Sequence, residues 1–226
     1  MTTVWVKLLD LADQIENILS ENSTEIFEDG MDKFNQTGWV NRVYANDSYR
    51  RAHIDIIDAR ESKGLWMMHC CIFPNVNNNS PIFGYDVIAG ENKITGFFHD
   101  FSPIVKEHPM SSYFKSITDS LHWKKVRILP DWAMKIFSED MIAAGNIKST
   151  DTIDLENLSV VIDNLEFYIE NVGKFQTNET FLEQQNRYAF YQKQNPHTPK
   201  TMKALGLDDN DVDLFISKCL FPEINR

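Results

Sequence analysis

The chain has 226 residues, 42% of them hydrophobic and 24% charged, and its 33 acidic against 22 basic side chains give a net charge of −11. This is enough for one α/β domain spanning 1–226 that folds around its own core without a metal or disulfide staple, and the acidic balance excludes a nucleic-acid-coating role, which needs a basic footprint. No apolar run approaches the roughly 20 residues of a membrane span, and the start, Met1-Thr2-Thr3-Val4-Trp5, shows no basic segment leading into an apolar one, so no secretion signal is expected.

Leu8, Leu11, Ala12, Ile15, Ile18 and Leu19 recur at helical steps and predict an opening helix. After a polar stretch, residues 39–44 read as a strand, Asn46-Asp47-Ser48 as a turn and 52–57 as a second strand. Residues 65–73 form a third, closed by Pro74. It carries Cys70 and Cys71 on opposite faces; with Cys219 the thiols number three, which predicts buried free cysteines and a reducing, cytoplasmic setting. Beyond the polar loop 75–81, strands are predicted at 83–89 and 93–99, joined around Gly90-Glu91-Asn92. Such short connections make an antiparallel meander.

The later part is helical in pattern. Residues 154–172 place Leu155, Leu158, Val161, Ile162, Leu165, Tyr168 and Ile169 on one stripe; 181–191 read as a second helix stopped at Asn195-Pro196; a last helix covers 211–220. Strands in the middle with helices on either side predict a three-layer α/β/α sandwich around a central antiparallel sheet.

Strand alternation sorts the polar residues by face. His53, Asp55 and Ile57 share a face of the second strand, Met67, His69 and Cys71 of the third, and Gly84, Asp86 and Ile88 of the fourth. A tight hairpin closed by Gly90 and Lys93 sets Ile88 opposite Thr95, Asp86 opposite Phe97 and Gly84 opposite His99, and so puts Thr95, Phe97 and His99 on the face of Asp86. A carboxyl group amid apolar strand residues is costly to ionise, so its pKa rises, and a raised-pKa acid is what a proton donor needs near neutral pH. One solvated sheet face would accommodate the same pattern, and parity alone leaves the two readings open. There is no Gly-x-Gly-x-x-Gly or Walker loop, no nucleophile elbow, and no metal-ligand spacing around His53, Asp55 and His69.

Several ordered motifs carry a resemblance. His69-Cys70-Cys71-Ile72-Phe73-Pro74, Phe83-Gly84-Tyr85-Asp86, His99-Asp100-Phe101-Ser102-Pro103, Leu129-Pro130-Asp131-Trp132, Ile136-Phe137-Ser138-Glu139 and Gln192-Lys193-Gln194-Asn195 with Thr198 follow one another in the chain. Together they resemble the ferredoxin-dependent bilin reductases, in particular the phycocyanobilin:ferredoxin oxidoreductase branch, from about Trp39 to the end. The resemblance implies an α/β/α sandwich with biliverdin IXα bound between the sheet and the C-terminal helices. Reduced ferredoxin supplies electrons one at a time, and the enzyme holds no flavin, nicotinamide or metal.

Residue by residue, it implies that Asp86 protonates the bilin and steadies its radical, and that His69 is a hydrogen-bond partner and relay to the lactam. Asp55 stands where the branch has a Glu tied to reduction of an exocyclic vinyl group. Thr95 falls at a hydroxyl that binds a propionate, His197 at a Lys that contacts one, and Asn195 within the C-terminal motif. His99 is a further substrate-binding candidate from its expected face. The branch's propionate-binding Arg falls at Gly145, so Lys200 or Lys106 is expected to replace it, and Pro196 falls where relatives have a proton-donating Asp. The shorter Asp55 points to phycoerythrobilin as product, as in phage-type relatives, with phycocyanobilin or a non-catalytic bilin carrier as the alternatives. Ferredoxin is expected to dock on Lys124-Lys125-Val126-Arg127 or on the segment with Lys193, Lys200 and Lys203, and the enzyme is expected to be a monomer.

Overall fold

The structure, a computed structural model, describes residues 3–124 and 126–224. Met1 and Thr2 of the expected leaderless start, and Lys125 of the expected basic patch, lie outside the described residues. Helix α1 (Thr3–Asn22) leads into strands β1 (Thr24–Ile26), β2 (Trp39–Ala45) and β3 (Tyr49–Ala59). The one-turn helix α2 (Arg60–Lys63) precedes β4 (Leu65–Pro74), β5 (Ile82–Gly90) and β6 (Lys93–Ser102). Then come α3 (Pro109–Ser120), the short strands β7 (Ile142–Ala144) and β8 (Ile147–Lys148), α4 (Thr152–Asn157), α5 (Val160–Val172), α6 (Leu182–Gln192), α7 (His197–Leu205) and α8 (Asp209–Leu214), which runs on as a π-helical turn, Phe215–Leu220.

The sheet is antiparallel in the order β1-β2-β3-β4-β5-β6-β7, with β8 also on β6. Its two faces are covered by two separate apolar clusters. Val4, Leu8, Leu11, Ile15 and Leu19 of α1 and Leu165, Tyr168 and Val172 of α5 pack with Ile54, Met68, Val87 and Phe97 on one face. On the other, Trp39, Ile57, Cys71 and Phe73 meet Tyr188 of α6, Met202 of α7 and Phe215 and Cys219 of the C-terminal turn. The expected α/β/α sandwich is therefore the fold, because alternation along each strand gives both faces an apolar set that only helices on both sides can bury. No helix among the described residues is long and apolar enough to cross a membrane.

Three differences from the sequence reading have local causes. The helix expected over 154–172 is two helices, because the chain turns at Leu158-Ser159, where the Ser159 hydroxyl donates to the Glu156 carbonyl at 3.0 Å. Pro196 does more than stop α6: it caps α7, consistent with proline's pre-set φ at helix starts. α3 was not foreseen either; Pro109 opens it, and Nδ1 of His108 accepts from the Met110 N–H at 3.2 Å.

The fourth difference is one of register. Gly90 pairs with Lys93 and Ala89 with Ile94 as the tight hairpin requires, but the next pair is Ile88 with Gly96. Thr95 is therefore an extra residue on β6, a bulge, and its hydroxyl donates to the Ile88 carbonyl at 2.9 Å. Every pair beyond it slips by one, so Asp86 faces Phe98 and Tyr85 faces His99. A one-residue slip exchanges the faces, and Phe97 and His99 lie on the side opposite to the one expected.

Candidate active site

The three central strands put Asp55, His69 and Asp86 in one row. Asp55 is directly opposite His69 on the β3–β4 ladder, and His69 is directly opposite Asp86 on the β4–β5 ladder. All three border a cavity of about 420 Å³, a size suited to a small-molecule ligand. Its far side comes from Tyr188 and Gln192 of α6, Thr198 and Met202 of α7, and the segment 129–137.

The electrostatics of the row follow from burial. Desolvation pushes the Asp86 carboxyl up to about 7. Asp55 is likewise pushed up to about 7, chiefly by burial; the hydrogen bond from Trp39 works against this and the charge of Asp86 adds to it. His69 is driven down to about 4 by burial and then by the positive charge of Arg51, so its imidazole is neutral near pH 7. Arg51 is itself buried, held by both carboxylate oxygens of Glu28 at 2.8 Å and by the Cys219 carbonyl at 2.6 Å. The buried Nε2 of His69 has no protein partner, which leaves it open to a ligand atom. Between about pH 4 and 7 the row thus offers two proton-bearing acids on either side of a neutral imidazole.

Among the described residues that line this cavity, Arg127 is the one arginine or lysine. Its side chain runs over two glycines: a Cβ on Gly145 would lie 2.8 Å from Arg127 Cδ, and one on Gly96 would lie 3.1 Å from its Nη1. The guanidinium stands 5.7 Å from the centre of the Phe98 ring.

The profile of the family described as ferredoxin-dependent bilin reductase matches residues 5–222. The chain belongs to the ferredoxin-dependent bilin reductases. It is 30% identical over 192 residues to the phycocyanobilin:ferredoxin oxidoreductase of Synechococcus sp. (strain CC9902), covering 80% of this chain and 74% of that one. Its identity to the enzyme of the same name from Prochlorococcus marinus is 28% over 231 residues, 96% of this chain and 84% of the other. Among solved structures, PcyX superposes with a TM-score of 0.72 at 34% identity over 96% of this chain and 99% of that one. Phytochromobilin synthase from tomato, solved in complex with biliverdin, matches with a TM-score of 0.72 over 93% and 82%; at 16% identity that likeness is one of fold. The enzyme is a ferredoxin-dependent bilin oxidoreductase.

Within this bilin reductase, the structure brings together Asp55, His69, Asp86, Thr95, Asn195 and His197, all of which border the cavity. Asn195 Oδ1 accepts from the His197 N–H at 3.0 Å, which shapes the entry to α7. His99 also borders the cavity, but its ring is spent on the far face: Nδ1 donates to the Gly84 carbonyl at 2.8 Å, Nε2 accepts from Asn164 of α5 at 3.0 Å, and Phe83 and Phe114 flank it. The bulge at Thr95 is the cause. Lys200 is exposed and absent from the cavity wall, because Thr198, Thr201 and Met202 form the inward stripe of α7 and Lys200 falls between them on the outer side. Lys106 is exposed in the loop after β6 and does not reach the wall either. Of the expected docking lysines, Lys193 pairs with Glu223 at 2.7 Å and Lys203 with Asp209 at 2.5 Å.

The sequence reading missed three positions that shape the candidate site. Arg127 was legible only as part of a basic run. Trp39 was legible only as a strand residue. Asp100 belongs to a quoted motif, and its role emerges in three dimensions: it accepts from the Ser138 N–H at 3.0 Å, from the Ser102 hydroxyl at 2.7 Å and from the Ser138 hydroxyl, and so pins the segment 129–137 across the cavity.

Proposed function

We propose that this enzyme binds biliverdin IXα in the cavity and reduces it by four electrons to phycoerythrobilin. The observation that carries the reading is the row Asp55–His69–Asp86, with both carboxyls held up to about 7 at the floor of the cavity. A carrier has no use for buried acids, which cost stability; a reductase whose electrons arrive singly needs protons at the ligand.

In each step one reduced iron–sulfur centre of ferredoxin is oxidised and one electron enters the bilin. The resulting radical is more basic than its parent and takes one proton. Asp86 or Asp55 gives that proton and recovers it from solvent. Neutral His69 exchanges a hydrogen bond with a lactam group, using its unpartnered Nε2. Four such electron and proton additions balance the reduction. Arg127 holds a propionate by charge-assisted hydrogen bonds, in the role the sequence reading gave to Lys200 or Lys106. Asp55, one methylene shorter than glutamate and tied towards β2 by Trp39, stops short of the exocyclic vinyl group. That group survives, and the second reduction goes to a methine bridge.

Ferredoxin approaches at the cavity mouth over Lys124 and Arg127, where exposed Val126 and Ile128 add apolar contact and Ile128 borders the cavity. Activity should then fall as salt rises, since exposed charges are screened. The enzyme works as a monomer in a reducing cytoplasm, where the buried free thiols of Cys70, Cys71 and Cys219 stay reduced.

The test is anaerobic turnover of biliverdin with a ferredoxin reducing system, followed by chromatography. Phycoerythrobilin as main product is expected. Phycocyanobilin as main product would overturn the assignment of regiochemistry, and bound pigment that stays biliverdin would overturn catalysis.

A further inference from the structure

Asp55 has a neighbour on β2 that does more than limit its reach. In the β2–β3 ladder Asn41 is opposite Asp55, and Trp39 is opposite Ile57, one diagonal step away on the same face. The indole nevertheless reaches across, and Nε1 donates to Asp55 Oδ1 at 2.6 Å between two buried groups.

The indole is the fixed partner of this pair. Phe34 and Phe215 flank it at ring-centre distances of 5.6 and 5.0 Å. Its backbone exchanges hydrogen bonds with Gln36 at 2.8 and 2.9 Å. The turn before it needs Gly38, which has φ +78 and whose Cβ would lie 2.8 Å from the Asp58 carbonyl. The carboxyl therefore comes to the indole.

We propose that Trp39 is a positioning residue for bilin protonation: its N–H occupies Oδ1 of Asp55, draws the carboxyl towards β2 and leaves the acidic proton on Oδ2. This rests on the reading of Asp55 as a proton donor and deepens it. A carboxylic acid accepts through its carbonyl oxygen, so the oxygen bonded to the indole is the one without the proton. Once the proton leaves, the same N–H meets a full negative charge and the bond strengthens. Trp39 thus steadies the conjugate base of Asp55. Asp86 has no such donor; burial alone acts on it. Two acids in one row are thereby made unequal, and Asp55 is held ready to release its proton in one direction.

The other groups facing Asp55 are Asn41 of β2, His53 beside it on β3, His69 of β4, Asp86 of β5 and the Cys219 thiol, whose own ionisation feels the Asp55 charge, from the C-terminal turn. All of them remain when only the indole N–H is removed.

The experiment is an infrared pH titration of the ligand-free enzyme, with the Asp55 carboxyl band assigned by its loss in Asp55→Asn. It compares wild type with Trp39→Phe and with 3-benzothienylalanine at position 39, which keeps the indole's shape without its N–H. Both changes should raise the frequency of the protonated-carboxyl band and tighten proton binding at Asp55 at least tenfold. Neither should alter the pH profile of bilin reduction in an Asp55→Asn background. An unchanged band and midpoint in the benzothienyl enzyme would overturn the proposal even if Trp39→Phe fails to fold. The titration needs no substrate, so its outcome is separate from whether biliverdin is reduced.

Discussion

Asp86 lies directly across the β4–β5 ladder from His69, the closest juxtaposition two strand residues can have without being neighbours in sequence. Burial acts on the pair in opposite senses. It keeps a proton on the carboxyl up to about 7 and keeps one off the imidazole down to about 4. Between about pH 4 and 7 the pair is therefore mainly an uncharged acid beside an uncharged base, able to meet a tetrapyrrole without first neutralising each other.

Replacing the acid separates binding from turnover. Asp86→Asn keeps the shape and is expected to bind biliverdin and accept the first electron. Protonation should slow by about 10²-fold or more, the usual contribution of a placed acid. A radical signal should accumulate in electron paramagnetic resonance, and full turnover by the variant would remove Asp86 from its role.

Both acids carry a pH signature. Their folded pKa of about 7 lies above the unfolded value, so the native state holds more protons than the unfolded chain between about pH 4 and 7. Stability from these groups falls as pH rises through that window, at about 1.4 kcal/mol per group per pH unit as an upper slope. Asp86→Asn is expected to raise the melting temperature over wild type at pH 8 and to do so less at pH 5. Reduction by the wild type should decline above about pH 7 as the donors lose their protons. Calorimetry and initial rates at matched pH values check the two halves.

Side-chain length at position 55 is expected to set the product. Asp55→Glu adds a methylene, about 1.5 Å of reach, and proton placement responds to about 1 Å. The product should shift towards phycocyanobilin, as read by absorbance and chromatography. An unchanged product would mean that reach at this position does not set regiochemistry.

Arg127 is expected to recognise a carboxylate. Arg127→Leu should weaken biliverdin binding by about 10-fold to 100-fold, the range for losing a charged hydrogen bond, and leave the biliverdin dimethyl ester nearly unaffected. Gly145→Ala should reproduce part of this loss, because its Cβ would lie 2.8 Å from Arg127 Cδ, and it should also destabilise β6, because the same Cβ would lie 2.6 Å from the Thr95 carbonyl oxygen. Equal losses for acid and ester would show that the arginine acts through packing.

Much of the site was legible before any fold was known. Alternation is a property of the extended backbone itself, so residues two apart share a face wherever the strand lies. That placed Asp55 with His53, His69 with Cys71 and Asp86 with Gly84, and the structure keeps each grouping. The helical stripes of α1 and α5 were readable for the same local reason.

What folding decided is everything set by contact between distant segments. Which residue of β4 stands opposite Asp55, the extra Thr95 that turned His99 to the far face, the arginine laid over Gly145 and the indole fastened to Asp55 all arise from non-local pairing and packing. Local geometry constrains a chain one residue at a time, whereas register and side-chain reach are chosen by the whole molecule at once, where burial of one set of groups outweighs the preferences of another.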